Sequence, residues 1–166
     1  PVTANAAQAG FGRGASDAFL LRVDPSRPPE DFLVYSTYLG GGGADVAYDL
    51  ALVGPGRAAV TGYTLSDNFP IFAPAPAGYS RAAMADAFVS IVDTTIPGVS
   101  GLQFSTYFGG SHQDIGVKAL AAPDGSLYVA GTTMSRNLPV TDASTKPSLI
   151  GSTSAFLLRF DPLPSD

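Results

Sequence analysis

The sequence predicts an all-β protein made of repeated four-stranded units, and three observations carry that reading. The stretch Asp17-Ala18-Phe19-Leu20-Leu21-Arg22-Val23-Asp24 returns as Asp86-Ala87-Phe88-Val89-Ser90-Ile91-Val92-Asp93. It returns again as Ser154-Ala155-Phe156-Leu157-Leu158-Arg159-Phe160-Asp161. The stretch Tyr35-Ser36-Thr37-Tyr38-Leu39-Gly40-Gly41 returns as Phe104-Ser105-Thr106-Tyr107-Phe108-Gly109-Gly110, at the same offset of 69 that separates the first two copies. A fixed long period means one supersecondary unit set against copies of itself.

The strands follow in order. Residues 18–23 recur as 87–92 and 155–160, and residues 32–39 recur as 102–108. In that last stretch Leu102, Phe104, Thr106 and Phe108 fall on one face by alternation, and Gln103, Ser105 and Tyr107 on the other. Residues 46–53 and 115–122 are small and apolar, and 57–64 and 126–133 follow them after a turn. The turn is Gly54-Pro55-Gly56 in one copy and Pro123-Asp124-Gly125 in the other, and Asp-Gly between apolar runs signals a hairpin. Long connections rich in Pro, Ala and Ser close each unit, at 65–85 and 134–153. The Ala-rich stretches at 4–9 and 82–87 have room for one helical turn each and no more.

Overlaying 35–72 on 104–141 gives 13 identities in 38 positions, five of them Gly or Pro. Such positions mark backbone where a Cβ or a free φ is not tolerated. The opening Pro1-Val2-Thr3 aligns with Pro70-Ile71-Phe72 and Pro139-Val140-Thr141, so the chain reads as starting inside a unit, an excised piece. The units are therefore a tail at 1–14, repeat 1 at 15–80, repeat 2 at 81–150 and the start of a third at 151–166. Four-stranded units at fixed period are the sequence form of β-propeller blades, here a propeller-like array of about 2.4 repeats.

At this point the chain resembles the bacterial β-propeller repeats called SBBP repeats. The likeness rests on Asp17–Phe19, Tyr35–Gly41, Asp45, Gly62–Thr64 and Ser66–Pro70, with Asp86–Phe88, Phe104–Gly110, Asp114, Gly131–Thr133 and Ser135–Pro139 in the second copy. The resemblance implies the propeller fold and export to the cell surface or periplasm. It supplies no single activity and no catalytic residues. Proteins of that family hold many repeats, whereas this sequence is short of the about 4–8 blades that close a ring. The expectation is a piece of a longer propeller, copies that complete one another, or a subunit docked on other proteins.

Composition bounds the rest. Charged residues are 14% of the 166, below the roughly 25% of an average domain. The net charge is −5 and the nine basic residues are scattered, which excludes a phosphate-tracking surface and so nucleic acid as a partner. There is no cysteine, hence no disulfide frame and no thiolate metal site, and this fits an exported protein. No apolar run approaches the roughly 18 residues of a transmembrane helix.

Candidate site residues are few. Asp45 and Asp114 share one repeat position beside glycine loops, a weak Ca²⁺ arrangement. The favoured reading has each carboxylate accepting from loop N–H groups, because Ca²⁺ needs several oxygen ligands. Asp17 and Asp86, replaced by Ser154, read as loop caps in the same way. His112, the only histidine, reads as an exposed loop residue and not as part of a triad. Tyr35, Tyr38, Tyr63, Tyr107, Tyr128, Phe104 and Phe108 read as core and not as a sugar-stacking platform. Phe69, Ile71, Phe72 and Pro74 form an apolar, Pro-rich loop and are the candidates for partner contact. The functional expectation is a non-enzymatic, exported propeller segment serving as a structural scaffold or accessory subunit, with protein partners or copies of itself completing the blades and no cofactor. The alternative is a carbohydrate- or ligand-binding propeller with one shallow site per blade.

Overall fold

The computed structural model describes residues 1–72, 84–141, 144, 148–149 and 151–161. Among the described residues there are nine strands: β1 Ala18–Val23, β2 Leu33–Leu39, β3 Asp45–Gly54, β4 Arg57–Thr64, β5 Asp86–Asp93, β6 Leu102–Phe108, β7 Asp114–Ala121, β8 Leu127–Thr133 and β9 Ser154–Phe160. One 3₁₀ turn, Gly98–Gly101, precedes β6. Every pairing within the sheets is antiparallel. Sheet I is β1-β2, sheet II is β3-β4-β5-β6 and sheet III is β7-β8-β9. Sheet II therefore draws its first hairpin from repeat 1 and its second from repeat 2. No helix among the described residues is long and apolar enough to cross a membrane.

The β3–β4 and β7–β8 hairpins close through Gly56 (φ 73°) and Gly125 (φ 84°). A side chain is strained at that φ, so the repeated glycine is fixed by turn geometry. Elsewhere the repeated glycines answer to space. A Cβ on Gly62 would fall on the Val46 carbonyl, and one on Gly131 on the Ile115 carbonyl.

The three sheets stack face to face, and two apolar cores fill the gaps. Between sheets I and II, Ala18, Leu20, Tyr35 and Leu39 meet Ala58, Val60, Phe88 and Val92. Between II and III, Ala59, Ala87, Val89 and Ile91 meet Leu127, Val129 and Phe156. Alternation along β5 sends Phe88 and Val92 to one side, and Ala87, Val89 and Ile91 to the other. All of β5 is buried for that reason. Asp49 on β3 spans the second gap, accepting from the Ala119 N–H at 2.9 Å with the Lys118 ammonium at 3.5 Å. Among the described residues the stack is open, with no closed barrel or ring.

Strand β6 departs from simple alternation. Leu102 lies in the core between sheets I and II with Tyr107, while Phe104 and Phe108 pack toward sheet III. The cause is a bulge: Ile91 pairs with Phe104 but Val92 pairs with Leu102, which leaves Gln103 without an opposite residue. The same irregularity occurs between Arg22 and Val23 in sheet I.

Residues 3–8, part of the stretch 1–14 expected only as a tail, lie against the free edge of β2 in sheet I. Thr3 N–H donates to the Ser36 carbonyl at 3.2 Å, and Tyr38 N–H donates to the Gln8 carbonyl at 3.1 Å. Phe72, the repeat equivalent of Thr3, donates in the same way to the Ser105 carbonyl at 3.0 Å. Such cover blunts strand edges that would otherwise recruit another chain.

Candidate functional site

The side chains that recur with the repeat converge on the Gly-rich links between sheets. After β2 the chain crosses to sheet II through Gly40–Gly43. There the Asp45 Oδ2 accepts from the Gly41 N–H at 2.7 Å and from the Ser66 hydroxyl at 2.6 Å. Ser66 Oγ accepts from the Gly43 N–H at 2.8 Å, and Asn68 Oδ1 accepts from the Gly42 N–H at 2.7 Å. Ser66 N–H in turn donates to the Thr64 hydroxyl at 2.9 Å.

After β6 the pattern is rebuilt with new residues. Asp114 Oδ2 accepts from the Gly110 N–H and the Ser135 hydroxyl, both at 2.7 Å. Ser135 Oγ accepts from the His112 N–H at 2.9 Å, and Asn137 Oδ1 from the Ser111 N–H at 2.8 Å. Ser135 N–H donates to the Thr133 hydroxyl at 2.9 Å. Asp45 and Asp114 are buried, and so are Ser66 and Ser135. A carboxylate among several N–H and O–H donors forms charge-assisted bonds that offset its desolvation.

A second carboxylate stands at each link. Asp17 Oδ2 accepts from the Gly12 N–H at 2.7 Å, and its Oδ1 faces Gly40. A Cβ on Gly40 would lie 2.8 Å from both Asp17 Oδ1 and Asp45 Oδ2. Asp86 and Asp114 bracket Gly109 in the same manner.

This arrangement shows what Asp45 and Asp114 bind within the protein. The loops turn N–H groups toward the carboxylates, whereas Ca²⁺ requires a shell of oxygen acceptors. Among the described residues no group of three or more His, Cys, Asp or Glu is placed to hold a metal ion. Asp45 Oδ1 and Asp114 Oδ1 are buried and accept no hydrogen bond from the protein.

His112 is exposed, its Nδ1 3.0 Å from the Ser111 hydroxyl. Neighbouring Asp114 is buried and directs its Oδ2 to the Gly110 N–H and the Ser135 hydroxyl. Of the seven aromatic residues expected in the core, Tyr38, Tyr63, Phe104 and Tyr128 are only half-buried. Tyr35, Tyr107 and Phe108 are buried, and Phe108 meets Phe156 with ring centroids 5.3 Å apart. Burial pushes the Tyr35 hydroxyl above its ordinary pKa, and its oxygen accepts from the Ala7 N–H at 3.1 Å.

The expected partner-contact loop needs one correction. Phe69 is 3% exposed and packs against Phe88 and Tyr107 at 4.7 and 6.0 Å between ring centroids. It closes the core between sheets I and II and presents nothing to a partner. Its equivalent, Leu138, packs against the second core, so an apolar residue recurring at that position was the available signal. Ile71 and Phe72 are exposed, and Pro74 lies outside the described residues. No protein-family model matches the chain, and no curated protein matches it either.

Proposed function

We propose that this chain is a non-enzymatic segment of a bacterial, exported β-propeller of the SBBP-repeat type, and that it acts as a structural scaffold or accessory subunit through protein contacts. The observation that carries this reading is the employment of the repeated polar residues. Asp45, Ser66 and Asn68, like Asp114, Ser135 and Asn137, hold their own loops. Asp45 Oδ2, Ser66 Oγ and Asn68 Oδ1, and their equivalents Asp114 Oδ2, Ser135 Oγ and Asn137 Oδ1, each accept from a backbone N–H of the link. The face-to-face stacking of the sheets, with an inner and an outer hairpin in sheet II, supports a blade-like arrangement. Burial of Tyr35, Phe88, Tyr107 and Phe108 in the stack supports a packing role for these aromatics over a sugar-stacking one. The test has two arms. The native protein, extracted gently from its source, should migrate in a complex larger than itself. The purified chain should show neither saturable binding on a glycan array nor turnover on a hydrolase substrate panel. Binding or turnover abolished by substitution of a repeat-matched residue overturns the scaffold reading.

A further inference from the structure

We propose that the rim of the gap between sheets I and II is a binding site for a small, uncharged apolar molecule. Its roof is the segment that covers β2. Thr3 bonds to Ser36 and Gln8 to Tyr38, so the four residues between Thr3 and Gln8 arch away from the strand. The arch leans over the gap: the Ala7 N–H donates to the Tyr35 hydroxyl at 3.1 Å, and the Asn5 carbonyl accepts from the Gly98 N–H of the 3₁₀ turn at 3.1 Å. Beneath it lies a cavity of about 310 Å³. Ala7 and Leu39 wall it from sheet I, and Pro70, Val92, Val99 and Leu102 from the side of sheet II.

The walls define what fits. None of the described residues that line the cavity carries a charge. Gln8 gives its Oε1 to the Gly40 N–H at 3.1 Å and donates from Nε2 to the Gly10 carbonyl at 2.9 Å. The Thr37 hydroxyl accepts from the Gln8 N–H at 2.8 Å and donates to the Tyr38 carbonyl at 2.9 Å. A charged guest would lose its water there and meet no counter-charge. An apolar guest meets the buried side chains of Leu39, Val92 and Leu102. Apolar cavities of about 150 Å³ hold benzene, so this one suits two fused rings. Val99 stands at the mouth, 72% exposed, where a guest would cover it. The bond from Gly98 to the arch holds it there.

The cavity does not depend on where the stack stops. It lies between two sheets that already face each other, and further repeats would rest on the outward faces of sheets I and III. It also belongs to this junction in particular. The repeat equivalents of Ala7 and Tyr35 are Pro76, without an N–H, and Phe104, without a hydroxyl, so the same roof bond is not available at the next junction. Val99 has Glu30 as its equivalent. The site therefore stands beside the scaffold reading and does not rest on it.

Fluorescence titration of the whole purified chain with prodan, an uncharged naphthalene dye, tests it. The dye should bind saturably, one per chain, with its emission shifted to the blue. Val99→Glu sets a charge on the exposed rim and should weaken binding by about ten-fold or more. Ala7→Leu fills the cavity from its roof and should do the same. Val99→Glu alone decides the matter if circular dichroism shows that Ala7→Leu disturbs folding. Phe19→Ser, on the outward face of sheet I, should leave binding unchanged. Anilinonaphthalene sulfonate, a charged dye of similar rings, should bind about ten-fold more weakly than prodan. Absence of saturable prodan binding overturns the proposal, as does binding that ignores Val99→Glu or is lost in Phe19→Ser. Sulfonate binding as tight as that of prodan overturns the uncharged class of guest.

Discussion

Ser66 stands 21 residues beyond Asp45 and closes a loop onto it, with 2.6 Å between its hydroxyl and the buried carboxylate. The same hydroxyl receives the Gly43 N–H, so it joins β4's end, the Gly-rich link and β3's first residue. Ser135 and Asp114 repeat the relationship at 2.7 Å. Removing the hydroxyl leaves a buried carboxylate oxygen with one donor fewer and a loop N–H with none. Ser66→Ala should therefore cost about 1–3 kcal/mol of stability, measured by urea unfolding. Ser135→Ala should cost a similar amount, and a difference of several-fold would show that the two links are not equivalent.

Gly62 and Gly131 test whether space, not conformational freedom, fixes the repeated glycine. Neither has a positive φ, and a Cβ at either would meet a neighbouring strand's carbonyl. Gly62→Ala should destabilise by about 3 kcal/mol, since the obstacle is backbone that cannot step aside. Gly10, with nothing within 4 Å of its Cβ position, is the control. Gly10→Ala should change the unfolding midpoint little.

The sheet II–III junction should weaken in acid. The Ala119 N–H, first, and then the Lys118 ammonium hold the Asp49 carboxyl below the ordinary aspartate value. A carboxyl with a depressed folded pKa stabilises above its unfolded value, and that contribution is lost as pH falls through the folded one. Thermal melts from neutral to acidic pH should show this loss below the ordinary aspartate range. Asp49→Asn should flatten that part of the profile.

Equivalent phenylalanines should differ sharply in what they contribute. Phe88 is enclosed between two sheets, so Phe88→Ala should cost about 3–5 kcal/mol. Phe19 faces outward, so at concentrations where the chain is monomeric Phe19→Ala should stay within about 0.5 kcal/mol of wild type. Chemical denaturation of both variants at low protein concentration makes the comparison.

Strand positions were legible because alternation and turn residues are local signals. Residues 18–23, 57–64 and 102–108 match β1, β4 and β6 residue for residue. What alternation missed in β6 was the bulge opposite Ile91 and Val92, which depends on a partner strand. The cover of sheet I by residues 3–8 was hidden for a related reason: its bonds run between backbone groups and carry no side-chain signature. At the links, Asp45 and Asp114 stood out because they recur. Their partners Ser66 and Ser135 recur as well, but only the fold brings them 21 residues back to the carboxylate. Phe69 misled because a Pro-rich context resembles an exposed loop, while its ring is drawn under Tyr107.

The bulges at the same step of sheets I and II carry a consequence for the shape of the two strand pairs. Paired strands with an identical irregularity acquire the same extra twist. Sheets I and II therefore carry the same extra twist at that step, 69 residues apart in sequence, so the β1–β2 and β5–β6 pairs are interchangeable in shape there.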